Sequence, residues 1–112
     1  MTRDIRWAAG LFEGEGWAGF YRLTSYYKTQ TYTYTRARAT INMTDLDVLQ
    51  EFHRIIGVGT LSGPHKGGRK PRWQWQVSKP DDVRAALTRL HPYMLGRRAE
   101  QINAVLTAKE AS

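Results

Sequence analysis

The alternation of side chains between residues 32 and 43 constrains the fold more than any other feature of this sequence. Polar or aromatic residues alternate with apolar ones: Tyr34, Arg36, Arg38, Thr40 and Asn42 form one set, and Ala37, Ala39, Ile41 and Met43 the other. A strand with this period has one face on a hydrophobic core and the other in water. Because the polar set is basic, the pattern predicts a sheet with a free, positively charged face.

The same period of two recurs in three more segments, residues 17–24, 59–62 and 72–78. In the last of these, Trp73, Trp75 and Val77 alternate with Arg72, Gln74, Gln76 and Ser78. A polar, aromatic stretch at residues 25–31 and a glycine-rich basic stretch at residues 63–71 predict the loops that join the strands in two pairs.

Apolar residues at helical spacing predict helices between these pairs. The first covers residues 4–12, with Thr2 or Asp4 as its N-cap. The second is capped by Thr44 or Asp45 and ends at Gly57. The third is opened by Ser78 and Pro80 and ends before Pro92, and a last helix covers residues 95–108. Through the third helix the sum is an α+β fold of αββαββα order, followed by the last helix, in a single domain of residues 1–112 with helices on one face of a four-stranded antiparallel sheet.

The charge balance indicates what the free face binds. The chain has 17 Lys and Arg against 10 Asp and Glu, a net charge of +7, and it is 41% hydrophobic. A folded domain this basic most often binds nucleic acid. No apolar run is long enough to span a bilayer and no signal-peptide pattern opens the chain, so we expect no membrane partner. The expected location is the cytoplasm, or the nucleoid or organelle matrix that holds the target DNA.

Metal chemistry based on sulfur or histidine is not expected. The chain contains no cysteine, which excludes disulfides and thiolate sites. His53, His65 and His91 lie in different predicted elements, and no pair has the spacing of a zinc site.

Arginine and glutamine at two-residue spacing suit the major groove of DNA. Arginine pairs with guanine, and glutamine or asparagine with adenine, while lysines in glycine-rich loops suit phosphates. The alternative to DNA binding is an ordinary solvated sheet face, but the polar residues of this face and its loops include no acidic residue. We therefore predict DNA contacts from Lys28, Tyr34, Arg36, Arg38, Thr40, Asn42, Lys66, Arg69, Lys70, Arg72, Gln74 and Gln76.

Four glycines surround two glutamates in residues 7–20, WAAGLFEGEGWAGF. Inside a helix or strand each glycine costs about 0.5–1 kcal/mol relative to alanine, so local stability does not explain them. Gly10 and Gly14 stand four apart, and small residues at that spacing allow two helices to approach closely. Glu13 and Glu15 are either solvated helix-end carboxylates or ligands that hold Mg²⁺ against a phosphate. Two such helices meeting across a two-fold axis would bring two Glu15 side chains together, as in a nuclease.

Residues 8–16, AAGLFEGEG, resemble the LAGLIDADG motif of homing endonucleases, with Gly10, Leu11 and Gly16 retained and glutamate at both acidic positions. The resemblance continues, in the order the family uses, through residues 55–61, 72–82 and 90–101. It implies a curved sheet in the DNA major groove and a homodimer that cuts a near-palindromic duplex to leave short 3′ overhangs. It also implies Mg²⁺, or another divalent cation, as cofactor. The dimer interface would be the motif helix, through Ala8, Ala9, Gly10, Phe12 and Glu13.

The resemblance also implies roles for single residues. Glu15 matches the metal-binding acid, and the backbone carbonyl of Gly14 is a second metal ligand. Glu13 matches the acid that supports the helix end. Arg97 stands where the family usually has a catalytic lysine, and Met43 where it often has a glutamine that orders water. A slip of one residue would put Asn42 or Thr44 there instead.

Three functions follow from these patterns. The first is a Mg²⁺-dependent DNA endonuclease that serves intron or intein mobility. The second is a sequence-specific DNA-binding protein without turnover, which Met43 and Arg97 favour. The third is an RNA maturase that helps to splice its host intron.

Overall fold

A computed structural model describes residues 3–68 and 70–108 of the chain. Four helices, one short 3₁₀ turn and four strands follow one another in the predicted order. Their bounds are α1 Ile5–Glu15, β1 Gly16–Tyr27, β2 Gln30–Met43, α2 Leu46–Ile56, β3 Thr60–His65, β4 Arg72–Val77, α3 Pro80–Leu90, the 3₁₀ turn His91–Tyr93 and α4 Gly96–Thr107.

The strands form one antiparallel sheet in the order β1-β2-β4-β3. The register places Gly16 opposite Ile41 in the first hairpin, and Ala39 opposite Val77 where the two hairpins meet. The central strands β2 and β4 therefore come from different hairpins, which joins the two halves of the chain into one sheet. The predicted α+β fold class is confirmed.

The first hairpin is longer than the sequence predicted. Tyr27 pairs with Gln30, so the expected loop at residues 25–31 is mostly strand, and only Lys28 and Thr29 form the turn. These residues do not alternate in polarity because both of their faces are exposed, which hides the period of two. Tyrosine and threonine nevertheless favour strands, and cross-strand pairs of this type stabilise a hairpin. β3 also extends into the second predicted loop, to His65, with an irregular register between Ser62 and His65.

The hydrophobic core lies between the helices and one face of the sheet. The Phe52 ring meets the Trp75 ring edge to face, with 4.7 Å between centroids, and Trp75 Nε1 donates a hydrogen bond to the Val58 carbonyl at 3.0 Å. The apolar positions of β2 and β4 face this core, as predicted. The largest fully buried side chains are Trp75, Phe12, Phe52, Ile41, Leu49, Leu87, Leu90 and Ile102.

The first helix passes directly into the first strand without a loop. Asp4 is its N-cap and accepts a hydrogen bond from the Arg6 amide at 3.0 Å, whereas Thr2 lies outside the described residues. At the other end, a Cβ on Gly16 would overlap the Phe12 ring. Only glycine therefore fits at this position, where β1 begins next to that ring. No helix in the described parts of the chain is long and apolar enough to cross a membrane.

Candidate nucleic-acid interface

The sheet face opposite the core carries the polar residues of the four strands. The register pairs Thr40 with Gln76 and Asn42 with Gln74, so the polar positions of β2 and β4 lie side by side. No helix covers this face, which we call the open face. It brings together Trp17, Gly19, Tyr21, Tyr34, Arg36, Arg38, Thr40, Asn42, Arg72, Gln74 and Gln76.

The charge of the sheet has one sign. None of the four strands contains an Asp or Glu, whereas they contain Arg22, Arg36, Arg38 and Arg72. The acidic residues that the structure describes lie in the helices or at their N-terminal caps. Three of these arginines, Arg36, Arg38 and Arg72, lie on the open face, where the strands bring no carboxylate to neutralise them, and this suits a polyanion.

Lysines stand at the two ends of the sheet. Lys28 is in the β1–β2 turn, where its backbone has a φ of 56°. Lys66 and Lys70 lie exposed in the connection from β3 to β4, while the predicted contact Arg69 falls outside the described residues. Beside that connection the open face has a polar hollow of about 420 Å³, lined by Asn42, His65, Lys66, Gly67, Gly68, Arg72 and Gln74.

The end of α1 presents two free oxygen groups. Glu15, its last residue, is exposed, and its carboxylate has no hydrogen bond or ion pair within residues 3–68 and 70–108. The Ala18 amide, which would bond the Gly14 carbonyl in a longer helix, donates instead to Gln101 Oε1 at 3.3 Å. A carboxylate next to a carbonyl is the donor set that Mg²⁺ or Ca²⁺ prefers.

This donor set is incomplete in one chain. Among the described residues, no group of three His, Asp or Glu side chains is placed to hold a metal ion. The residues present fit a divalent cation only if phosphate oxygens, water or a second copy of the chain supply the remaining ligands.

Glu13 faces the other way from Glu15. Its Oε1 accepts a hydrogen bond from the Leu95 amide at 2.9 Å, and its backbone carbonyl accepts one from Arg98 Nε at 3.1 Å. Arg98 Nη1 also donates to Gln101 Oε1 at 3.1 Å. These bonds tie the end of α1 to the start of α4, next to the exposed Arg97.

Sequence reasoning missed Arg98 and Gln101. Neither residue stands at a motif spacing, and their partners Glu13 and Ala18 lie more than eighty positions away in the chain. Because the contacts depend on how α4 packs against β1, no local pattern could have indicated them. They act on the site indirectly, by fixing the backbone on both sides of Glu15.

The predicted dimer interface needs correction. Ala8, Ala9 and Phe12 are at most 1% exposed and belong to the core of their own chain, so their side chains offer no surface to a second copy. Gly10 and Gly14 lie on the outer side of the helix, where a Cβ would meet nothing within 4 Å. The helical period separates the two sets, because residues 8, 9 and 12 share one side of the helix.

Met43 and Asn42 lie on opposite faces of β2, and the assignment of either residue to the catalytic position stays a prediction. Met43 pairs with Trp73 and packs, half-buried, against the core. Asn42 is on the open face, since side chains alternate along a strand. Its neighbour Ile41 pairs with Gly16, the residue that follows Glu15 in the chain.

Solved structures share this fold. The homing endonuclease I-CvuI in complex with a DNA target superposes with a TM-score of 0.74 at 19% identity, over 91% of this chain and 62% of that one. The homing endonuclease I-TnaI gives 0.71 at 17% identity, over 94% and 70%. The LAGLIDADG meganuclease I-AabMI bound to uncleaved DNA gives 0.68 at 18% identity, over 94% and 35%. The chain thus spans less than two thirds of the I-CvuI chain.

The fold of this chain is that of the LAGLIDADG homing endonucleases. The resemblance seen in residues 8–16 is confirmed at this level, since the motif coincides with α1 and its junction with β1. No protein-family model matches the sequence, and no curated protein matches it either.

Proposed function

We propose that this protein is a site-specific double-strand DNA endonuclease. It acts as a homodimer on a near-palindromic target, uses Mg²⁺ or another divalent cation, and leaves short 3′ overhangs. The observation that carries the proposal is the junction of α1 and β1. There the Glu15 carboxylate, which has no partner among the described residues, and the Gly14 carbonyl directly precede β1, and no strand of the sheet has an acidic residue.

Glu15 and the Gly14 carbonyl would hold the cation. When bound, it would supply Lewis-acid stabilisation of phosphoryl charge and favour ionisation of the attacking water. Asn42, which follows the Gly16 partner Ile41 on β2, has a side-chain amide that would orient that water. Arg97 would neutralise charge on the phosphate in the transition state, although it exchanges protons less readily than a lysine.

Glu13 and Arg98 would position this chemistry without touching DNA. Their hydrogen bonds join the α1 end, which carries Glu15, to the α4 start, which carries Arg97. Catalytic groups from separate elements need such support because small displacements greatly reduce rates. This is the role that the resemblance implies for Glu13.

Gly10 and Gly14 support the homodimer. Each costs the helix about 1 kcal/mol relative to alanine, and no described neighbour requires either one to lack a side chain. A second helix packed closely against α1 would require both positions to lack a side chain. One chain has one Glu15, so cleavage of both strands also needs two copies.

The test is a cleavage assay on a randomised duplex library with Mg²⁺ or Ca²⁺, followed by sequencing of the cut and the retained DNA. We expect cuts at one near-palindrome with Mg²⁺. Glu15→Gln should abolish cleavage and keep affinity, whereas Glu100→Gln, an equal charge change on exposed α4, should alter neither. Loss of binding by Glu15→Gln alone would mean that Glu15 is structural and the mechanism is wrong.

Oligomeric state is tested separately by sedimentation with and without the selected duplex. Gly10→Leu should prevent two chains from assembling on DNA, and Asn103→Leu, on the exposed side of α4, should not. Wild-type protein that cleaves both strands as a monomer would contradict the homodimer.

The second candidate is a sequence-specific DNA-binding protein without turnover, and Arg97 in place of a lysine favours it. In the library experiment it would retain DNA with a clear consensus and cut in neither metal. Arg97→Lys would then be the first substitution expected to restore cleavage. Binding of RNA by a protein that retains no duplex from the library would instead indicate the maturase.

A further inference from the structure

Gly19 is the one glycine of the first motif region that neither the helix junction nor the dimer explains. It lies on the open face of β1 between Trp17 and Tyr21, and it pairs with Arg38 of β2. A Cβ on Gly19 would stand 2.5 Å from Trp17 Cζ2, so the indole ring lies across the glycine. Glycine weakens a strand, and its presence here makes room for that ring.

The Arg38 guanidinium lies against two aromatic rings. Its central carbon is 4.6 Å from the Tyr21 ring centroid and 5.8 Å from that of Trp17. Arg36, two positions earlier on the same face, has its central carbon 5.5 Å from the Tyr34 ring centroid. Arg38 is half-buried, whereas Arg36 is exposed. The two rings restrict the rotamers of Arg38 before any ligand binds, which lowers the entropy cost of binding.

The donors of Arg38 remain free. Its Nε is buried and has no hydrogen-bond partner among the described residues, and no carboxylate occurs in the strands around it. Because Nε is covered, the two terminal amino groups, which make no hydrogen bond with a described residue, are the donors left for a ligand that brings acceptors to the guanidinium edge. The position is inside the sheet rather than in a loop, which suits a base edge better than a phosphate.

We propose that Arg38, held by Trp17 and Tyr21 over Gly19, reads a guanine in the major groove of the target. This inference rests on the proposed DNA-binding function. Arginine donates two parallel hydrogen bonds to guanine O6 and N7, and no other base offers that pair of acceptors at this edge. Trp17 and Tyr21 are positioning residues, since they orient the guanidinium and leave its donors to the base.

The experiment is selection of bound duplexes from a randomised library in Ca²⁺ by the wild type and four variants. We expect one guanine per half-site that Arg38→Ala no longer selects and that Arg38→Lys selects about tenfold less strongly. Gly19→Ala should relax the same position by displacing Trp17, with affinity for unselected DNA within about twofold. Arg36→Ala is the matched control: it should leave that guanine in the consensus.

Several outcomes would overturn the inference. If Arg38→Ala lowers affinity equally for all sequences, Arg38 contacts phosphate. If a thermal melt shows that Gly19→Ala is folded and the variant keeps the full preference for that guanine, Trp17 does not position Arg38. If Gly19→Ala does not fold, the guanine preference of Arg38→Lys is compared with that of the wild type instead, because this substitution changes no core residue. A wild type that selects no duplex overturns the proposed function itself, whereas a consensus independent of Arg38 overturns this inference alone.

Discussion

The two faces of the sheet are built from alternate residues of the same strands, yet they differ in almost every property. The inner face contributes Ala18, Ala39, Ile41, Trp75 and Val77 to the core, all at most 2% exposed. The open face carries arginine, glutamine, asparagine and aromatic residues, with Arg36 against the Tyr34 ring and Arg38 against the Tyr21 ring.

The difference teaches which residues the fold needs and which it leaves to function. Burial of apolar area stabilises the inner face, so its residues are determined by packing. The open face gains less from burial. Strands disfavour Asp, and Glu to a lesser degree, so folding accounts for part of the absence of acids, whereas binding to a polyanion accounts for the excess of arginine.

The largest effect should come from the inner face. Trp75→Ala removes a fully buried ring, its contact with Phe52 and its bond to the Val58 carbonyl. We expect a loss of about 3–5 kcal/mol in the free energy of unfolding, measured by urea denaturation. A loss below 1 kcal/mol would show that the two faces do not differ in this way.

The junction between the faces should respond less strongly. Arg98→Ala leaves the Glu13 carbonyl and Gln101 without their partner, and we expect a loss of about 1–3 kcal/mol in the free energy of unfolding. Cleavage should fall as well, while DNA affinity stays near that of the wild type. Arg97→Ala is the matched control, because this exposed neighbour should lose cleavage without losing stability.

On the open face the effect should move from stability to binding. Gln74→Ala should change the free energy of unfolding by at most about 0.5 kcal/mol. Its affinity for the preferred site should fall by about 1–3 kcal/mol, with relaxed choice at one base position. Lys66→Ala should instead weaken binding to all sequences and lower the slope of affinity against salt by about one. Equal loss on all sequences in both variants would refute the open face as the reader of sequence.

The smallest effect should be at the helical surface. Glu51 bonds Arg54, and its Oε2 lies 3.3 Å from Arg3 Nη1. The hydrogen bond from Arg54, and then that from Arg3, lowers the pKa of the Glu51 carboxyl below its ordinary value of 4.5. Its contribution to stability is therefore present above that value and is lost as the pH falls through the lowered pKa.

Thermal melts of Glu51→Gln at a series of pH values check this. The variant should be slightly less stable than the wild type near neutral pH, and the difference should shrink as the medium becomes more acidic than pH 4.5. High salt should also reduce this difference in stability, since salt screens ion pairs at the surface. A difference that grows on acidification would contradict this origin.

Much of the fold could be predicted because its patterns are local. The alternation in residues 32–43 and 72–77 predicted both strands and their two faces, since side-chain direction follows from strand geometry. Where both faces are exposed, as at residues 25–31, the pattern carried no information and the strand was missed. The predicted DNA-contacting residues of β2 and β4 do share one face, although their contacts with DNA stay a prediction.

The site was only partly predictable because its geometry depends on packing between distant segments. Glu13 and Glu15 are two positions apart and chemically alike, yet one bonds Leu95 and the other is free. Asn42 and Met43 are neighbours in the chain, so a slip of one residue in matching β2 to the family changes which of them is assigned to the site.

The sequence by itself determined the order of elements, the two-faced sheet and its positive charge, because periodicity and composition act within a few residues of each position. Only the tertiary structure decided that Ala8, Ala9 and Phe12 belong to the core rather than to an interface, and that Arg98 braces the end of α1. It alone showed that Trp17 and Tyr21 hold Arg38 over Gly19. The physical reason is that these contacts arise when separate helices and strands pack together, and no local pattern records the angle at which they meet.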